Sequence, residues 1–176
     1  MGLQGQVRLM NLSWPAKLLI VLVVLIPIAD ALYINPIHFH QTVKVADYSL
    51  NVPMFWTQIT APRKEMLVAF RREWAGSGSV DIVDRSRVNP TLGPWTREAA
   101  ERARGFIVAV EQKDARFSGQ RFFETNAGPF HAICTESTMG ADQAFTCYVL
   151  GTRLQYSYLG SKPYEEAALK MLNSLR

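Results

Sequence analysis

Apolar residues recur with a helical period in two segments of the chain. In both segments they fall at positions i, i+4, i+7, i+8 and i+11, which is the spacing of one helix face. The first set follows Thr96, which can cap a helix, and the second follows Ser161 and Pro163, which suit an N-cap and a first turn. The pattern predicts two amphipathic helices that bury these faces: Ala99, Ala103, Phe106, Ile107 and Val110 in the first, and Tyr164, Ala168, Met171, Leu172 and Leu175 in the second.

Segments rich in β-branched and aromatic residues predict strands in the rest of the chain. Before the first helix these segments are 42–52, which runs into Pro53, and 66–74 and 80–85, which are expected to pair. Between the helices, tight turns separate four more segments and predict an antiparallel meander: 116–124, 129–136, 143–150 and 153–159. The expected fold class is α+β, with both helices packed on an antiparallel sheet.

A third apolar segment, near the N-terminus, has no polar face. The uncharged run 18–29 is twelve residues long, with Lys17 before it and Ala29-Asp30-Ala31 at its end. A positive start, a short apolar centre and small residues at a cleavage point are typical of a secretory signal. A membrane-spanning helix needs about 20 apolar residues, so the run length favours a cleaved signal.

An uncleaved anchor is the alternative, because residues 18–37 reach the length of a membrane span if Asp30 is tolerated near the interface. The protein would then be attached to the membrane through residues 18–37 as a single N-terminal helix. Under both interpretations the preceding positive charges place the later residues in a periplasmic or other extracytoplasmic space. The predicted division is residues 1–37, a signal peptide or signal anchor, and residues 38–176, a single α+β domain.

The two cysteines, Cys134 and Cys147, lie symmetrically about Gly140-Ala141. Glycine in the first central position suits a two-residue type II′ hairpin turn. Counted outward from that turn, Cys134 faces Cys147 as a non-hydrogen-bonded pair with Cα atoms about 4.5 Å apart, at the short end of the disulfide range. This register and an exported location predict a disulfide bond. Two buried free thiols are the alternative, and the missing C-x-x-C spacing argues against a redox pair.

Charge and motifs exclude several classes of function. The net charge is +4, and the basic residues are scattered among acidic ones. Nucleic-acid-binding proteins more often carry a clustered basic stripe, so no nucleic-acid partner is predicted. The sequence contains no G-x-S-x-G, no H-E-x-x-H and no phosphate-binding glycine loop. No catalytic residue and no cofactor are therefore assigned.

Histidines and tryptophans are the remaining candidates for a ligand site. His38 and His40 would share a face on a strand, and with His131 they could supply imidazole ligands. No long-range ligand spacing supports that arrangement, so no metal site is predicted. The tryptophans can line a ligand pocket or fill the core, and core packing is the simpler interpretation: Trp56, Trp74 and Trp95.

A contact face is predicted on the last strand of the meander. Tyr156 and Tyr158 alternate with polar residues there, close to Arg153 and to Tyr148 of the preceding strand. Exposed aromatic residues beside an arginine are typical anchors of protein interfaces. We therefore predict Arg153, Tyr156 and Tyr158 as binding residues; packing of a helix on this face would explain part of the pattern without a partner.

Both ends of the domain resemble those of PsbP-like proteins. YSLNVPMFW (48–56) is similar to their opening strand, which runs into a proline and then a tryptophan. LQYSYLGSKPYEEAALKMLNSLR (154–176) is similar to their last strand and closing helix. The resemblance implies an α/β/α sandwich and a non-enzymatic binding or assembly role, and it transfers no site residue. The lipid-anchor cysteine of the bacterial lipoprotein members is missing here.

Together these features predict an exported, non-enzymatic accessory protein of the cell envelope that acts through protein–protein contact with an envelope partner. The alternative is a small-ligand carrier or an enzyme with a pocket between the sheet and a helix.

Overall fold

The computed structural model of the protein describes residues 13–33, 40–72 and 77–176. The helices and strands in these ranges are α1 Trp14–Tyr33, β1 His40–Val45, β2 Tyr48–Pro53, β3 Thr57–Ile59, β4 Met66–Arg72, β5 Gly78–Asp84, α2 Arg85–Val88, α3 Arg97–Glu111, β6 Phe117–Ala127, β7 Phe130–Met139, β8 Asp142–Val149, β9 Leu154–Ser161 and α4 Glu165–Asn173. A single 3₁₀ turn, Lys162–Tyr164, leads into α4.

Helix α1 exposes apolar side chains along its first half, among them Leu19 and Val23. Within the described ranges, no helix combines the length and the apolar character needed to cross a membrane. The predicted boundary at residue 37 falls outside the described residues.

Seven strands form one antiparallel sheet in the order β3-β4-β5-β9-β8-β7-β6. The predicted pairing of β4 with β5 is present, and the predicted meander is β6 to β9. The last strand, β9, lies inside the sheet and pairs with β5 on one side and with β8 on the other. It therefore joins the strands that precede α3 to those that follow it.

Residues 42–52 form a hairpin rather than one strand. β1 and β2 make a separate two-stranded antiparallel sheet in which Val45 lies opposite Tyr48. The turn between them is Ala46-Asp47, and Ala46 has a left-handed backbone with a φ of 53°. Tight hairpin turns usually carry Asn-Gly or Asp-Gly, so this one has no turn signature in the sequence.

Helices cover both faces of the seven-stranded sheet. Met171 of α4 and Leu50 of the β1–β2 hairpin belong to the main core on one face. Ala100 of α3 packs with Tyr148 in a smaller cluster on the other face. Successive strand residues point to opposite faces, which keeps the two clusters separate. The predicted antiparallel sheet with helices packed on it is therefore present.

Helix α3 begins where the sequence predicts but buries a different face. Thr96 Oγ1 accepts a hydrogen bond from the Ala99 backbone N–H over 3.2 Å. Ala100 is fully buried, whereas Phe106 is 71% exposed and Val110 is 52% exposed. The predicted burial of Phe106 and Val110 is wrong, because α3 approaches the sheet through the small side chain of Ala100 and is rotated accordingly.

Helix α4 buries the predicted face but starts later than predicted. Its apolar set is buried: Tyr164, Ala168, Met171, Leu172 and Leu175. Ser161 makes no side-chain capping hydrogen bond, and it precedes the 3₁₀ turn rather than the α-helix. Pro163 lies in that turn, near a helix start, where its missing N–H is tolerated.

Candidate functional site

Cys134 and Cys147 form the predicted disulfide bond. They lie opposite each other in β7 and β8, with Cα atoms 4.1 Å apart and both side chains fully buried. Gly140 has a φ of 65° at the first central position of the connecting turn, as predicted. The bridge links two neighbouring strands inside the main core, so it is a structural bond of the sheet.

The three predicted binding residues do not share an exposed face. Tyr156 and Tyr158 are each 2% exposed. Their hydroxyls donate hydrogen bonds to the backbone oxygens of Ala168, at 2.7 Å, and Ser161, at 2.8 Å, and burial raises the pKa of both. The predicted exposure of these tyrosines is wrong, because they occupy the core face of β9. Arg153, in contrast, is exposed.

Of the three tryptophans considered as pocket or core residues, Trp56 and Trp95 lie within the described ranges, and both fill the core, as the simpler interpretation predicts. Trp56 packs near Tyr158 with ring centroids 6.5 Å apart, and Trp95 contacts Tyr148 edge-on with centroids 4.7 Å apart. Trp74 lies outside the described residues.

The two histidines within the described ranges lie in different strands, His40 in β1 and His131 in β7. His131 Nε2 is 2.6 Å from Glu124 Oε2, and His40 is exposed at the start of β1. His38 lies outside the described residues. Among the residues that the structure describes, no three His, Cys, Asp or Glu side chains are grouped so that they could hold a metal ion.

A polar cleft lies where β5 ends and β9 begins. Its volume is about 250 Å³, and it is walled by the β1–β2 turn, the end of β5, Pro94 and residues 151–154. Three charged residues line it, Asp47, Asp84 and Arg153, together with the phenol ring of Tyr48. The structure thus places the predicted Arg153 in a concave polar site, without its predicted tyrosine partners.

The charged groups of the cleft are only partly paired. Asp84 Oδ1 accepts hydrogen bonds from the backbone N–H and the hydroxyl of Ser86, at 2.8 and 2.7 Å. The side chains of Asp47 and Arg153 make no hydrogen bond or ion pair with any other described residue. Burial raises the pKa of Tyr48, Asp47 and Asp84 raise it further, and Arg153 opposes the shift. Tyr48 is therefore a neutral phenol at physiological pH.

A second polar group is buried beneath α3. Glu111 Oε1 accepts a hydrogen bond from the Ser137 hydroxyl over 3.3 Å. Glu111 Oε2 and Thr135 Oγ1 are buried without a hydrogen-bond partner among the described residues. Burial raises the pKa of the Glu111 carboxyl, and hydrogen bonds from Ser137 and Gln120 oppose that shift. Burial, with a smaller effect from Glu111, also raises the pKa of Tyr148.

Sequence reasoning missed both polar groups, although one left a signal. Glu111 follows Ile107 by four residues and Ala100 by eleven, so it occupies the same helix face as the buried alanine. The alternative of a pocket between the sheet and a helix stays a prediction. None of three cavities lined by described residues, of about 250, 280 and 380 Å³, includes a residue of α3 or α4.

Phe106 and Val110 define an exposed apolar surface, which we call the α3 flank. Side chains on the other side of the helix reach β6: Arg97 donates to Glu124 at 2.8 Å, and the Arg104 guanidinium lies over the Phe122 ring at 4.3 Å. At about 100° of rotation per residue, Phe106 and Val110 point away from those arginines. The α3 flank therefore lies on the side of α3 away from Arg97, Arg104 and their partners in β6.

The sheet beside the α3 flank is only partly covered. α3 packs on β6 and β7, and the neighbouring strands β8, β9 and β5 present half-buried or exposed side chains on that face, among them Thr146, Ser157 and Leu159. The Thr146 and Ser157 hydroxyls are 3.2 Å apart. On this open part of the sheet the exposed apolar side chain of Leu159 therefore lies among polar side chains.

No protein-family model and no curated protein sequence matches the chain. Among solved structures, it is similar to the solution structure of cyanobacterial PsbP (CyanoP) from Synechocystis, with a TM-score of 0.46 and 13% identity over 77% of this chain and 91% of that chain. It is also similar to a crystal structure from Bacteroides thetaiotaomicron, with a TM-score of 0.41 and 12% identity over 76% of this chain.

The chain spans 46% of the Bacteroides protein and nearly all of the cyanobacterial one. The cyanobacterial protein carries the name of the superfamily that both ends of the domain resemble. At these identities and TM-scores the likeness concerns the arrangement of elements, and neither protein's role is transferred to this chain.

Proposed function

We propose that the protein is a non-enzymatic accessory domain that holds a partner protein against the α3 flank. The observation that supports this function is the outward position of Phe106, which at 71% has the largest exposed fraction of any aromatic side chain in the ranges 40–72 and 77–176. A large exposed aromatic side chain beside a second apolar residue is typical of an interface anchor.

Charge around the α3 flank defines the chemistry of the partner. Arg102 and Lys113 are exposed and lie next to Phe106 and Val110 in the helical order. The expected partner therefore presents apolar side chains ringed by acidic residues. Such a pairing would be steered by charge and anchored by apolar contact, so its association rate should fall with added salt.

The proposed location is the extracytoplasmic side of the cell envelope. Two features support it: the twelve-residue apolar run 18–29 behind Lys17, and the buried Cys134–Cys147 disulfide, which suits a non-reducing compartment. Sequencing the N-terminus of the mature chain distinguishes a cleaved signal, with a start near residue 32, from attachment to the membrane through residues 18–37. This location would be contradicted if a carboxyl-terminal reporter that works only in the cytosol were active in the fusion protein.

Site-specific photo-crosslinking tests the proposed contact. A photoreactive phenylalanine at position 106 should give a protein adduct in cells of the native host. The same group at position 98, which is exposed on the solvent side of α3, should give none. The partner identified in this way, once purified, should bind the full chain at least tenfold more tightly than Phe106→Ser.

Three outcomes would contradict the proposal. These are equal adducts from positions 106 and 98, adducts with lipid alone, and unchanged affinity of Phe106→Ser for the captured partner.

A further inference from the structure

We propose that the polar cleft at the start of β9 binds a small zwitterion of amino-acid size. Asp47 and Asp84 would hold its ammonium group, and Arg153 would hold its carboxylate. This inference concerns a different surface from the α3 flank and does not depend on a protein partner.

The cleft holds opposite charges that are kept apart. Asp47 belongs to the β1–β2 turn and Arg153 to the segment that enters β9, and neither side chain is paired with another described residue. Free surface charges of opposite sign gain energy when a ligand bridges them with matching charges. A zwitterion supplies both of those charges in one molecule, whereas a simple amine or a simple carboxylate supplies only one.

The walls of the cleft are fixed by hydrogen bonds. The Arg85 backbone N–H donates to the Arg153 carbonyl at 3.0 Å, which ties the end of β5 to the start of β9. Thr152 is buried, and its hydroxyl donates to the Val149 carbonyl at 2.8 Å and accepts from the Leu154 N–H at 3.0 Å. A site with ordered walls loses less entropy when it binds a ligand, so this cleft is suited to a small molecule.

Tyr48 adds a second feature that suits an ammonium group. Its ring is held edge-on against Phe130 with centroids 5.8 Å apart, so its position is defined. A neutral phenol offers both a π-face for a cation and a hydroxyl that can donate to a carboxylate. Ala46, which comes directly before Asp47 and Tyr48, has a left-handed backbone. This conformation is strained for alanine, and strained residues are often found at ligand sites.

The volume of the cleft limits the size of the ligand. Pockets for drug-sized molecules are about 300–1,000 Å³. The cleft, at about 250 Å³, lies just below that range and suits a compact molecule with few heavy atoms beyond its two charged groups.

Binding is tested with defined probes on the full chain. Glycine, L-alanine, L-glutamate and glycine betaine are the zwitterions, and methylamine and acetate are the single-charge probes. Amide NMR shifts at residues 46–48, 84 and 151–154 report the cleft. We expect at least one zwitterion to shift these amides at lower concentration than either single-charge probe does.

Two variants test the assigned roles. Asp47→Asn and Arg153→Gln should each weaken zwitterion binding at least tenfold. Arg116→Gln, which changes another exposed arginine outside the cleft, should leave zwitterion binding unchanged. The proposal is overturned if no zwitterion shifts the cleft amides, if methylamine or acetate binds as well as the zwitterions, or if both cleft variants bind like the wild type. If a variant fails to fold, the comparison of zwitterions with single-charge probes on the wild type still tests the proposal.

Discussion

Cys134 and Cys147 face each other across β7 and β8, and their disulfide lies within the main core. The bridge closes a loop with a sequence separation of 13 residues. In the chain-entropy model, a loop of this length stabilises the fold by about 3 kcal/mol. The double variant Cys134→Ala/Cys147→Ala should lose about that amount in urea unfolding. Added reductant should destabilise the wild type and leave the variant unchanged; a wild type insensitive to reductant would contradict a formed bridge.

Gly128 and Gly140 offer a matched pair of glycine substitutions. Both have a positive φ, of 60° and 65°. A Cβ at Gly128 would lie 1.6 Å from the Leu175 carbonyl oxygen, whereas a Cβ at Gly140 would meet nothing within 4 Å. Gly140→Ala should cost about 1–2 kcal/mol, the strain of a left-handed alanine. Gly128→Ala should cost several kcal/mol, because overpacking adds about 1–3 kcal/mol.

The measurement for this pair is the free energy of unfolding of both variants under one set of conditions. Equal losses for Gly128→Ala and Gly140→Ala would show that the Leu175 carbonyl does not lie against Gly128.

Phe106 and Phe145 differ in burial, and truncating them should differ in effect. Phe106 is 71% exposed and Phe145 is 2% exposed. Phe106→Ala should change the free energy of unfolding by less than about 0.5 kcal/mol, as exposed positions usually do. Phe145→Ala should cost about 3–5 kcal/mol. If Phe106→Ala were the more destabilising of the two, α3 would have the face that the sequence predicts, and the α3 flank would not exist.

Glu111 should make stability depend on pH. Burial raises the pKa of its carboxyl above 4.5, the ordinary value for a glutamate. The favourable contribution of Glu111 to the free energy of unfolding is therefore fully present below pH 4.5 and is lost as the pH rises through its pKa in the folded state. Glu111→Gln should be more stable than the wild type at pH 7, with a smaller difference at pH 4. Glu101→Gln, on the exposed side of α3, is the control and should show no such pH-dependent gain.

Glu124 should titrate in the opposite direction. Hydrogen bonds from Arg97 and then His131 lower its pKa to about 2. The contribution of Glu124 to the free energy of unfolding is therefore present above about pH 4.5 and is lost as the pH falls through about 2. Carboxyl NMR titration should find this low pKa in the wild type and a value closer to 4.5 in Arg97→Gln. His131→Gln should move it less; the reverse order would contradict the described pairing.

Local patterns were enough to predict the meander and the disulfide. Tight turns fixed where each strand reverses, and the symmetry of Cys134 and Cys147 about Gly140-Ala141 fixed the register between them. Helix periodicity located α3 and α4, because apolar spacing and capping residues act within a few turns of the chain. The same periodicity did not fix the rotation of α3. The row of residues that contains Ala100 and the row that contains Phe106 are both apolar, and only packing on the sheet determines which row is buried.

The cleft could not have been predicted from the sequence. Asp47, Asp84 and Arg153 are far apart along the chain and come together only through the pairing of β5 with β9 and the turn at Ala46. The predicted contact role of Tyr156 and Tyr158 failed for a related reason. Alternation along β9 shows that the two side chains share a face, but only the position of α4 shows that this face is the core.

The central position of β9 has a consequence for how the chain acquires its structure. Strands β3 to β5 and strands β6 to β8 form two separate sections until residues 154–161 insert between them. When the chain emerges with its N-terminus first, during synthesis or during passage through a pore, β5 and β8 therefore expose unpaired edges until residues 154–161 are free. Long-range pairing of this kind slows folding and favours aggregation, so we expect truncation before residue 154 to leave an insoluble product rather than a smaller folded domain.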